Sequence, residues 1–232
     1  MKTKEISPMI KELTYKKLTM IAALVLFGAL IASAPVFAGS MVISGDQVKY
    51  DGQTNPHSPG GGVFKFTDVT QGFDFFTYCI ELNEYIDVGD TYYANVTNAA
   101  IPGGVGGGDP DPIDARTAWL FSQFTLGTLP NYTGDTNSQI ALQYAIWYEE
   151  QETNSLPAGL ATTFWNESSG ASGLYGVSVL DLWGSYNPVT HVFSEPAQDV
   201  LFTPVPEPST IVLLGLGLTG LGLGFRKRAK VS

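Results

Sequence analysis

The chain has 232 residues, 44% of them hydrophobic, with one cysteine and two histidines. A single cysteine excludes an intramolecular disulfide, and with two scattered histidines it offers no ligand spacing for zinc. Nine of the twelve basic residues lie in the two ends, so residues 39–203 carry three basic against 19 acidic side chains. The resulting formal charge of −16 repels a phosphate backbone and excludes nucleic-acid binding.

The chain opens with a basic region containing Lys11, Lys16 and Lys17. An apolar run at 21–31 and small residues ending in Val36-Phe37-Ala38 follow, which is the three-part order of a secretory signal peptide cleaved after Ala38. The run is too short to persist comfortably as an anchor. Residues 1–38 are therefore read as a signal peptide and 39–203 as one secreted acidic domain, long enough to bury a core.

Strands are expected at 41–44, 48–50, 62–66, 73–82 and 91–96, segments rich in β-branched and aromatic residues and bounded by Gly, Asp and Asn. The glycine run within 102–112 lacks a Gly-Lys-Ser/Thr ending and reads as a flexible surface loop rather than a phosphate cradle. Asp109, Asp111 and Asp114 recur within the six residues 109–114 as a calcium candidate. The glycine and closing glutamate of an EF-hand are missing, so a solvated loop is the simpler reading.

Asp114 is expected to cap a helix that places Leu120, Phe121 and Phe124 on one face. A second helix is expected from 136–138 to about 151, and short segments at 174–183 and 199–202 close the domain. The fold class is α+β, a β-sandwich or barrel with an inserted helical pair. It is flanked by an N-terminal signal peptide and a short C-terminal transmembrane segment.

At the C-terminus, Pro206, Glu207 and Pro208 precede an apolar stretch at 211–225 with five glycines, then the basic stop Arg226, Lys227 and Arg228. Basic residues stay cytoplasmic, so the lysines before the first apolar run and this cluster after the last place everything between them outside. Residues 204–232 resemble the PEP-CTERM sorting signal of exported bacterial proteins. The resemblance implies an exosortase-type processing enzyme as partner and transient residence in the inner membrane. A bacterial cell-surface or extracellular-matrix destination follows from it.

The stretch Phe75-Phe76-Thr77-Tyr78-Cys79-Ile80-Glu81-Leu82 ends an aromatic run on the lone cysteine, whose plainest reading is a small buried hydrophobe. Further on, Ile140, Gln143, Ile146 and Trp147 fall at helical spacing, which sets Gln143 on or beside a core-facing stripe. A glutamine there must be hydrogen-bonded or chemically consumed. Together, the aromatic-Cys-Ile stretch and Gln143-Tyr144-Ala145-Ile146-Trp147 resemble the Cys-Gln thioester domains of bacterial surface proteins, with Leu142 where that family has threonine. The resemblance implies a thioester between Cys79 and Gln143, with Glu81 and Trp147 in support. It implies adhesion to a surface or matrix ligand, protein or polysaccharide.

No enzyme is expected, and no cofactor. A cysteine hydrolase needs a histidine beside Cys79, and His57 and His191 both fall in turn-like sequence without a family signature. Glu81 and Glu84 could be proposed as an acid–base carboxylate pair, but strand alternation puts Cys79 and Glu81 on the same face, whereas Glu84 falls beyond the strand's expected end, and no second convergent carboxylate or sugar-binding cleft is inferred. The alternative to the thioester is a structural or glycan-binding β-sandwich whose cysteine is inert.

Overall fold

A computed structural model describes residues 41–55, 61–101 and 105–204. The chain divides after Ala38, and every described residue belongs to the second unit. The expected signal peptide and C-terminal transmembrane segment lie outside the described residues. Among the described residues no helix is long and apolar enough to cross a membrane.

The elements run β1 (Gln47–Gln53), β2 (Phe64–Asp68), β3 (Phe73–Thr77), β4 (Thr91–Thr97), β5 (Ala99–Ala100) and β6 (Asp111–Pro112). Three helices follow, α1 (Ala115–Thr125), α2 (Thr136–Glu149) and α3 (Leu160–Glu167), then β7 (Ser178–Asn187), β8 (Val192–Pro196) and β9 (Val200–Phe202). The main sheet is antiparallel in the order β3-β2-β1-β4-β7-β8, and β9 pairs with β7 over 178–180.

Alternation builds this sheet. In β1 and β2 every second residue is buried, so Val48, Tyr50, Phe64 and Phe66 face one side. Their rings continue into β3 and β9: Tyr50 to Phe66 at 5.2 Å, Phe66 to Phe75 at 5.5 Å, Phe75 to Phe202 at 5.3 Å. Each such pair adds about 0.5–1.5 kcal/mol beyond area burial, which favours one side-chain arrangement over its alternatives.

The sheet curls until it nearly closes, and the seam lies just past β3. Ile80 N donates to the Asp199 carbonyl and Leu201 N to the Tyr78 carbonyl, both at 3.0 Å, around an antiparallel bridge between Cys79 and Val200. The Thr77 hydroxyl adds a bond to the Leu201 carbonyl. The lone cysteine therefore sits where two distant parts of the chain close a barrel-like sheet.

Two cores meet at this seam. Tyr78 and Ile80 point toward the helices, among Leu120, Phe121, Leu142, Ile146 and Phe164. Cys79 points the other way, into the barrel interior with Tyr50, Phe75, Leu180, Val200 and Trp147.

Several expectations need correction. Residues 41–44 form no strand: Asp46 folds back to accept from Ile43 N at 3.0 Å, and the segment turns. The helical pair is a trio, because α3 forms after Gly159 and buries Phe164. Strand β8 was likewise not anticipated. The glycine-rich loop is partly tied down, since Glu152 accepts from Val105 N at 2.8 Å, from Gly106 N at 3.1 Å and from Leu82 N at 2.9 Å.

Candidate functional site

Helix α2 carries the side chains that meet Cys79. Its first turn is fixed by Asp135, whose carboxylate accepts from Ser138 N at 2.8 Å, satisfying a backbone donor that the helix leaves open. The buried set is Ser138, Gln139, Leu142, Gln143, Ala145, Ile146 and Trp147, too wide for one stripe. Leu142, Ala145 and Ile146 join the helical core, while Trp147 enters the barrel and Gln143 lies between. Ile140, expected in the stripe, is only half-buried.

Gln143 and Cys79 meet across 64 residues of sequence. The Cys79 thiol donates to Gln143 Oε1 at 3.3 Å, and Gln143 Nε2 donates to the Cys79 carbonyl at 2.8 Å. Gln143 is 0% exposed and Cys79 1%, so the amide oxygen accepts from a sulfur, a weak donor, where a buried amide ordinarily finds a strong one. Gly61 seals the other side: a Cβ there would lie 2.6 Å from Gln143 Cγ and 2.9 Å from Trp147 Cη2.

Burial pushes the Cys79 thiol well up, and the nearby carboxyls of Glu152 and Glu81 push the same way. Trp147 Nε1 has no hydrogen-bond partner, yet its N–H is near enough to the sulfur to pull the thiol down against burial. The thiol is thus held neutral, the form that can donate to Gln143. Trp147 shares the barrel core with Cys79, whereas Tyr78 and Ile80 belong to the helical core. His191 is hydrogen-bonded to the Tyr186 hydroxyl at 2.9 Å in the β7–β8 hairpin, and His57 lies outside the described residues.

The carboxylates are arranged differently from the expectation. Glu84 comes back to Glu81, and both meet Asp199, with one carboxylate oxygen from each lying within 4.8 Å of the others. Among the described residues no N–H, hydroxyl or thiol donates to either oxygen of Glu81, so Glu81 does not accept from the Cys79 thiol; the group beside its carboxyl is that of Glu84, with which it can share a proton. Burial first, then Glu84, Asp199 and Glu152, push its carboxyl up, which makes it a poor proton acceptor near neutrality. Asp109, Asp111 and Asp114 do not gather. Asp111 is committed to the β5–β6 pair, and Asp114 caps α1 through its extended backbone, with its N–H bonded to Glu150 Oε1 at 3.1 Å.

Sequence reasoning missed Asp199 because 115 residues separate it from Glu84 and no local pattern marks it. A signal was nevertheless present: Lys49, Lys65 and Arg116 are the domain's only basic side chains, too few to pair its 19 carboxylates.

Residues 204–228 match the family model of the PEP-CTERM protein-sorting motif. The protein is exported and sorted by an exosortase. Its precursor is membrane-anchored through this signal. Pro206, Glu207, Pro208 and the basic stop at 226–228 fall within the match, and all six lie outside the described residues. No curated protein and no solved structure matches the chain.

Proposed function

We propose that the exported domain is an adhesion or interaction module that attaches covalently through a thioester between Cys79 and Gln143. The observation that carries this reading is the buried, reciprocal contact of the two side chains, 3.3 Å from sulfur to amide oxygen. A lone cysteine in an exported protein needs shielding from oxidation, and a thioester both shields and uses it.

In the forming step the Cys79 sulfur bonds to Gln143 Cδ, the Cδ–Nε2 bond breaks, and ammonia leaves with the thiol proton. In the attachment step an amine of a surface or matrix ligand, protein or amino-sugar polymer, attacks Cδ. The C–S bond then breaks, the sulfur regains a proton, and an amide joins ligand to Gln143. The bond is consumed once, so the domain is read as a reagent and not an enzyme.

Fresh protein is expected to take up methylamine at Gln143, located by peptide mass mapping, with Cys79→Ala abolishing the label. Absence of label in the unmutated protein would remove the attachment chemistry. For sorting, replacing Pro206, Glu207 and Pro208 together is expected to leave all the precursor in the inner-membrane fraction. Unchanged release would show that the motif is not the address.

A second reading has its own support. Tyr93, Trp183, Tyr186 and Phe193 form a half-buried aromatic row on β4, β7 and β8, with Tyr186 stacked on Phe193 at 4.4 Å. Such a row suits stacking against sugar rings, as a glycan-binding barrel with an inert cysteine would need. On that reading Tyr186→Ala weakens polysaccharide binding and Cys79→Ala leaves it intact.

A further inference from the structure

We propose that Glu81, Glu84 and Asp199 form a binding site for one calcium ion at the seam of the barrel. Glu81 is 2% exposed and Asp199 0%, and Glu81 Oε1, Glu81 Oε2 and Asp199 Oδ1 are all buried without a hydrogen-bond partner. Buried carboxylates left with unpartnered oxygens, in residues whose carboxylates gather within 4.8 Å, are costly unless a proton or a cation stands among them. The domain cannot supply that cation itself. Lys49 and Lys65 pair with Asp51 and Asp74, and Arg116 pairs with Glu149 at 3.3 Å while lying over the Trp165 ring.

Donor type and the looseness of the arrangement point to the kind of ion. Oxygens bound to one calcium at about 2.3–2.6 Å lie up to about 5 Å apart, whereas magnesium at about 2.0–2.1 Å draws them closer and demands a near-ideal octahedron. The three oxygens lie within 4.8 Å of one another, inside the span that one calcium can bridge. An all-oxygen donor set with no nitrogen or sulfur disfavours zinc and copper. Glu84 is only half-buried, so water can complete the coordination from its side.

The remaining polar groups are already committed in ways that hold the ligands in place. Glu84 Oε2 accepts from Asp199 N at 3.2 Å, Asp199 Oδ2 accepts from Ile101 N at 2.6 Å, and Gln198 Nε2 donates to the Glu81 carbonyl at 3.1 Å. Glu81 and Asp199 lie on the two segments joined by the antiparallel Cys79–Val200 bridge, beside each other at one end of it. One ion would therefore clamp the two segments whose pairing closes the sheet, a role that does not depend on any thioester.

The test uses the full chain in detergent, stripped with a chelator and titrated with calcium chloride while its melting temperature and bound calcium are followed. Calcium is expected to bind at one ion per chain and to raise the melting temperature by about 5–10 °C at a hundredfold excess over Kd. Magnesium at equal concentration controls for screening of the acidic surface and should give no saturable rise. Glu81→Gln should lose the rise, as should Glu84→Gln, whose half-exposed position keeps the variant folded if Glu81→Gln is not. Asp109→Asn/Asp111→Asn/Asp114→Asn should retain it, and so should Cys79→Ala, which separates this site from the thioester. No saturable calcium response in the unmutated chain, or a response that survives both Glu81→Gln and Glu84→Gln, would overturn the proposal.

Discussion

Gly61→Ala is expected to lower the melting temperature by about 5–15 °C and to separate Gln143 from Cys79. Two costs add at this position. The backbone sits at φ +81°, where a Cβ clashes with its own chain at about 1–2 kcal/mol. The new methyl would also fall 2.6 Å from Gln143 Cγ and 3.2 Å from Gln143 Cδ, with Trp147 at 2.9 Å leaving no retreat. Overpacking of this kind costs about 1–3 kcal/mol, and Gln143 can yield only by giving up its bond to the Cys79 carbonyl. Gly72→Ala is the matched control, because Gly72 has φ +80° and nothing within 4 Å of its would-be Cβ. The difference between the two melts isolates the clash. Equal melts would mean that the Gly61 segment does not press on the Cys79–Gln143 pair.

Stripped of divalent cations, the protein is expected to be most stable near pH 4–5 and to weaken steadily toward pH 9, the reverse of the usual carboxylate trend. The sign follows from buried acids with raised pKa values. Burial lifts Asp181 to about 7, Glu150 to about 8 and Asp199 to about 9, and it also raises Glu81 and Glu84. Below the ordinary carboxylate range these groups are neutral in both states and cost nothing. Between that range and their folded values the unfolded chain has lost protons that the folded chain retains, so stability falls as pH rises.

A fully buried, independent group contributes a slope of at most about 1.4 kcal/mol per pH unit in its window, about 3–5 °C per unit for a domain of this size, and half-exposed Glu84 contributes less because solvent screens it. Asp51, Asp74 and Asp135 are shifted downward by hydrogen bonds, and their stabilisation is lost only below about pH 4, which sets the acid edge. Thermal melts in chelator from pH 4 to 9 check this. A melting temperature that climbs through that range would show that the buried carboxyls are ionised and compensated.

Much of this was legible along the chain wherever the period was local. The β-branched and aromatic residues at 48–50, 62–66 and 91–96 and the aromatic run from 73 each announce their strand within a few residues, whereas Asp114, expected as a cap, makes no side-chain capping bond. The meeting of Cys79 and Gln143 came from residue chemistry joined to a family resemblance, since nothing in periodicity alone brings residues 64 apart together. What escaped was set by closure. Only when β9 docks beside 78–80 does Asp199 reach Glu81 and Glu84, and a turn held by Asp46 overrides the strand propensity of 41–44. Within the glycine-rich loop the hold of Glu152 on Val105 and Gly106 was likewise not legible, because it depends on where α2 ends.

The central claim is the bond between Cys79 and Gln143, and intact mass spectrometry of the mature protein under denaturing, non-reducing conditions at mildly acidic pH addresses it directly. The account predicts a mass one ammonia below that of the unmodified chain, the full mass restored in Cys79→Ala, and no thiol titratable in the unmutated protein after unfolding. A full-mass unmutated protein with one titratable thiol per chain would contradict it and leave Cys79 as a core residue of the barrel.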